Sequence, residues 1–180
     1  ANIGAFSKDY RSLAALASVD DSAFAKILAN YDAPCSPRQK AAWAESLGIT
    51  QRREAALRLA QSLRNPDYVD NRSIKPSVRL SVLQGLRYIY PDEPLFSSEF
   101  DQVRFPKFFK KTEPGKMPDH EREYMKRVEK WAKSTFAVNF TAPFPDTPLI
   151  VVDKKIHVYS VPISVEESAK MAERIRKTHT

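Results

Sequence analysis

Apolar residues recur three and four positions apart through most of the first ninety residues, and the polar residues between them punctuate that pattern into helices. Ser7 is placed to cap a first helix carrying Tyr10, Leu13, Leu16 and Ala17; Asp20 or Asp21 can cap a second carrying Phe24, Ile27 and Leu28. Ser36-Pro37-Arg38-Gln39 supplies an N-cap, a proline at the first helical position and a glutamine that completes a capping box. Gly48 reads as the stop of that third helix, and Thr50 opens a fourth whose Ala56, Leu59, Ala60 and Leu63 share one stripe before Asn65-Pro66 ends it. From Pro76 onward, Val78, Val82, Leu86 and Ile89 keep helical spacing, although the β-branched residues and Gly85 leave a strand open.

Beyond residue 90 the pattern changes. Nine of the 13 prolines and 16 of the 29 lysines and arginines lie there, so the chain is read as a helical body (1–90) and a basic C-terminal portion (91–180). Only Ser97 to Val103 looks helical in 91–118, and the rest of that segment is expected to be extended. Asp119 to Phe136 has no breaker and pairs Glu123 with Arg127 and Glu129 with Lys133 at the favourable spacing, which predicts an amphipathic helix over about 119–136. Residues 137–148 are too proline-rich for regular structure. Alternating apolar positions at Leu149 to Val152 and Ile156 to Val161 predict a β-hairpin over about 149–161, and Ser164-Val165-Glu166-Glu167 opens a terminal helix over about 164–177. The expected fold is mainly α: a helical bundle body of five to seven helices, a small β-hairpin near the C-terminus, and extended Pro- and Phe-containing segments.

Composition narrows the function classes. A chain of 180 residues at 42% hydrophobic is long enough for a core that needs no staple, and its one cysteine, Cys35, rules out an internal disulfide framework. The longest apolar run, Leu149 to Val152, is far below a bilayer span. Catalytic groups are sparse. His120, His157 and His179 are scattered without metal-ligand spacing, and no phosphate-binding glycine loop or hydrolase motif occurs. The expectation is therefore no enzyme activity, no cofactor and no metal.

A net charge of +7 favours an anionic partner: acidic protein, nucleic acid or lipid headgroups. Two regions could supply the contact. Ala44-Glu45-Ser46-Leu47-Gly48-Ile49-Thr50-Gln51-Arg52-Arg53 resembles a helix-turn-helix of the bacterial repressor kind. The resemblance implies that the second helix enters a major groove with Gln51, Arg52 and Arg53 facing bases or phosphates. Glu54 departs from it, since that family usually places an aliphatic residue there. The other region combines Phe105, Phe108, Phe109, Lys110 and Lys111 with the helix after Asp119. On that helix Arg122, Lys126, Lys130 and Lys133 form a stripe opposite Tyr124, Val128 and Trp131. These residues, with Phe140 and Phe144, are candidates for partner binding: breaker-rich segments that still carry many phenylalanines need a surface to lie on. The reading that joins these features is a non-catalytic accessory subunit packed on other proteins of a large assembly. The alternative is a nucleic-acid-binding protein, through the helix-turn-helix or as a ribosome-associated RNA binder. Low glycine, positive charge and the chain start at Ala1 suit import into the mitochondrion and attachment to a respiratory or ATP-synthase complex; otherwise the chain is intracellular, soluble or peripheral. Initiator-Met removal, targeting-peptide cleavage and trimming account equally well for that start.

Overall fold

A computed structural model describes residues 3–70, 74–104 and 116–152. Seven helices are present among them: α1 (Ile3–Ala17), α2 (Asp21–Asp32), α3 (Pro37–Ile49), α4 (Arg53–Gln61), α5 (Val78–Ile89), α6 (Ser98–Arg104) and α7 (Asp119–Phe136). Two short strands, β1 (Ile74–Pro76) and β2 (Ile150–Val152), join them. The class is mainly α with a small antiparallel two-stranded element completed near the C-terminus. The strand expected at 149–152 forms, and β1 is its partner in the register Ile74↔Val152, Lys75↔Val151, Pro76↔Ile150. The expected return strand (156–161) and the terminal helix (164–177) lie outside the described residues.

The capping residues act as their chemistry requires. Asp20 accepts from the Ala23 amide at 2.6 Å, and Ser36 and Gln39 close the reciprocal capping box. Two helix starts differ from the sequence pattern. The first helix begins at Ile3, so Ser7 lies inside it, and the fourth begins at Arg53 rather than Thr50.

Gly48 is not a stop. It lies within α3, and the turn to α4 is made by Thr50, Gln51 and Arg52, with Gln51 in the left-handed region at φ 55°. The Thr50 hydroxyl donates to the Leu47 carbonyl at 2.7 Å and closes the last turn of α3. What Gly48 provides is proximity. A Cβ there would sit 2.4 Å from the Gly85 Cα, and a Cβ on Gly85 would sit 2.6 Å from the Ala44 carbonyl oxygen. Helices α3 and α5 thus cross backbone to backbone. Around that crossing α1 and α2 pack on α3, α4 packs on α5, and α7 contacts α4 and α6. Leu47, Leu59, Val82, Leu83 and Leu86 are fully buried at this centre.

The breaker-rich residues 91–97, expected to be largely extended, form turns instead. Phe96 and Ser97 amides bond back to the Glu93 carbonyl at 2.9 and 3.1 Å, so overlapping turns satisfy the backbone and lead into α6. Phe96 and Phe100 are fully buried, with Phe96 edge-on to Trp131 of α7 at 4.7 Å and the Tyr124 hydroxyl donating to the Leu95 carbonyl at 3.0 Å. These rings are covered by their own chain.

Alanine is favoured over glycine in a helix interior by about 1 kcal/mol. Gly48→Ala is nevertheless expected to destabilise the protein by about 2–3 kcal/mol, because the added methyl has only backbone to displace. Urea unfolding measures this, and an unchanged or raised midpoint would contradict the close crossing.

Candidate functional site

The helix-turn-helix candidate can be judged from its cations. Arg52 is the N-cap residue of α4; its guanidinium donates to Asp21 of α2 at 2.5 Å and lies over the Phe24 ring at 4.6 Å. Arg58, on the next turn, pairs with Asp32 of α2 at 2.9 Å. Two of the basic groups of this helix are therefore committed to carboxylates of the preceding helix. Gln51 and Arg53 remain exposed, and so does Glu54, which explains why an acidic residue is tolerated there: Ala55 and Ala56 make the packing contact instead. A shallow groove of about 520 Å³ opens beside Arg53, lined also by Glu54, Leu57 and residues 134–137 at the end of α7.

The second candidate survives as a face. Lys126, Lys130 and Lys133 are exposed along one side of α7, while Tyr124, Met125, Val128 and Ala132 bury the other. Arg122 is half-buried and engaged with Asp146, and Lys126 pairs with Glu123 at 2.7 Å. Lys133 stands 5.8 Å from the Phe140 ring, and Lys130 faces solvent with no carboxylate partner among the described residues. On the same helix Arg122 and Arg127 are ion-paired, as are Arg52, Arg58, Arg64 and Arg87 elsewhere. The cations of α7 without a carboxylate partner among the described residues are thus Lys130 and Lys133.

Phe140 and Phe144, expected to anchor a partner, pack on the body. The Arg64 guanidinium makes a bidentate pair with Glu129 of α7, both bonds at 2.8 Å, and lies over the Phe140 ring at 4.7 Å and the Phe144 ring at 6.0 Å. The same guanidinium donates to the Ala142 carbonyl. Both rings are partly buried, so their own chain covers one side of each. Phe105, Phe108, Phe109, Lys110 and Lys111 lie outside the described residues.

Two buried charges escape a reading of the sequence. Arg79, in the first turn of α5, is fully buried; its Nη2 donates to the Thr147 carbonyl at 2.6 Å, the Thr147 hydroxyl at 2.9 Å and the Pro148 carbonyl at 3.3 Å. Its Nε and Nη1 find no acceptor, and burial lowers its proton affinity. Glu121, in the first turn of α7, accepts from the Leu149 amide at 2.8 Å, and burial raises its proton affinity against the opposing pull of that bond, His120 and Arg79. The available signal was positional: Arg79 is four residues before Leu83, and Glu121 four before Met125, so both stand on inward-facing stripes.

His120 is exposed, and His157 and His179 lie outside the described residues. Among the described residues no group of histidine, cysteine and carboxylate side chains is placed to hold a metal ion, and no helix is long and apolar enough to cross a membrane. No protein-family model, curated protein or solved structure matches this chain, so the geometry carries the functional argument.

A carboxyl whose proton affinity is raised by folding stabilises the fold fully below the ordinary glutamate value, and that contribution is lost as pH rises through the raised one. Glu121→Gln keeps an acceptor for the Leu149 amide without the charge. The stability of wild type relative to this variant, from urea titrations, is expected to decline with rising pH across that interval; a pH-independent difference contradicts a buried, destabilised carboxylate.

Proposed function

We propose that this chain is a non-catalytic accessory subunit that docks on an acidic surface of a larger protein assembly, using Lys126, Lys130 and Lys133 of α7. The observation that carries this reading is the exposed lysine side of α7, where Lys130 and Lys133 face solvent with no carboxylate partner among the described residues, while Arg122 and Arg127 of the same helix are ion-paired within the chain. A lysine head is a strongly hydrated point charge on a flexible stem, suited to electrostatic docking at a rim more than to base readout. Commitment of Arg52 and Arg58 to α2 argues against the helix-turn-helix route to DNA. A mitochondrial respiratory or ATP-synthase complex is the setting we propose, on the basic balance and low glycine content of the chain.

Reversing the stripe with Lys126→Glu, Lys130→Glu and Lys133→Glu is expected to weaken stoichiometric co-purification with protein partners by at least about tenfold while the thermal midpoint stays near wild type. Retention of the partner by the reversed chain contradicts the docking face. Salt-sensitive binding of RNA or DNA at physiological ionic strength, abolished by the same reversal, would transfer the face to the nucleic-acid reading.

A further inference from the structure

The segment from 138 to 152 crosses the body as a strap, and its course is set by α7. Phe140 lies near Lys133, Ala142 is held by the guanidinium that grips Glu129, Asp146 meets Arg122, and Leu149 meets Glu121. The strap therefore runs antiparallel to α7, from its last turn back to its first. One residue makes the reversal. Ala137 caps α7 in the left-handed region, at φ 54° and ψ 33°, a conformation that an L-residue with a Cβ adopts at a cost and that glycine adopts freely.

The body holds this strap chiefly through its main chain. Met117 N donates to the Asp146 carbonyl at 3.0 Å, Ser77 N to the Leu149 carbonyl at 2.8 Å, Tyr68 to the Pro148 carbonyl, and Arg79 to the Thr147 and Pro148 carbonyls, while Glu121 receives the Leu149 amide. The β1–β2 ladder adds backbone pairing, and Val138, Leu149 and Val152 fill buried positions. Each of these contacts joins the strap to the body, and the chain links the two only through Ala137.

We propose that the strap exchanges between two copies of this chain, producing a reciprocal dimer in which Ala137 leaves the left-handed region. With an extended hinge the chain continues beyond the end of α7 instead of turning back, and each body receives its neighbour's 138–152. The contacts of the described strap residues balance between monomer and dimer, so two relaxed hinges oppose the entropy of association, the condition under which exchange is accessible. This inference is independent of what the lysine face binds.

The test uses the full chain with Cys35→Ser, Lys75→Cys and Val151→Cys, which places a cysteine pair in register across β1 and β2. Light scattering through a concentration series reaching the millimolar range is expected to show a dimer whose disulfide, on non-reducing gels, links two chains. Ala137→Gly, which folds without hinge strain, is expected to lower the dimer association constant by more than about tenfold. A chain that stays monomeric throughout, a dimer in which the disulfide is intrachain, or an association constant unmoved by Ala137→Gly would each overturn the proposal.

Discussion

The backbone contact between Gly48 and Gly85 is the constraint on which the remaining architecture rests. Both glycines are helical, and both lack the atom that would hold α3 and α5 at the ordinary distance between packed helices. The close approach lets Leu47, Leu59 and Leu86 close around the crossing and fixes the direction of α5. That direction has consequences at the other end of the helix, where Ser77 and Arg79 present a backbone amide and a guanidinium to the chain returning from α7. A small displacement of α5 would move the docking place of the strap.

Electrostatics then gives several of the charges of a basic chain a structural role. Three arginines are fasteners: Arg64 with Glu129, Arg87 with Asp101, and Arg79 against strap carbonyls all tie elements together with planar, multidentate geometry. Lysines on α7 are left facing water. A buried arginine with two unmatched nitrogens and a buried carboxylate is a costly way to fasten a segment, since an apolar contact of the same size would avoid the desolvation. What the polar arrangement adds is position, because carbonyls and amides at 147–149 can satisfy Arg79 and Glu121 in one register only.

Much of the helical framework was legible because capping chemistry is local. The Ser36 capping box, the Asp20 cap and the unbroken run from Asp119 to Phe136 need only neighbouring residues to act, and each is found where the sequence places it. Gly48 was misread for a related reason: a terminating glycine and a packing glycine are identical in sequence, and only Gly85, far along the chain, tells them apart. β1 was hidden by a proline that marked a helix start, and its pairing with β2 is non-local. Phe96, Phe100, Phe140 and Phe144 were legible as rings needing cover, but not as rings that pack on their own chain through turns at 93–97 and the strap along α7. The lysine stripe was readable from helical periodicity alone, whereas the neutralisation of Arg52 depends on Asp21, which only the fold brings near.

Residue-resolved hydrogen exchange under native conditions tests most directly whether the α3–α5 crossing organises the molecule. Amides flanking Gly48 and Gly85 are expected to exchange last, through global unfolding, while the Leu149 amide and the β1–β2 pairs open earlier with the strap. Slowest exchange in the strap and α7, with α3 and α5 opening first, would contradict the account.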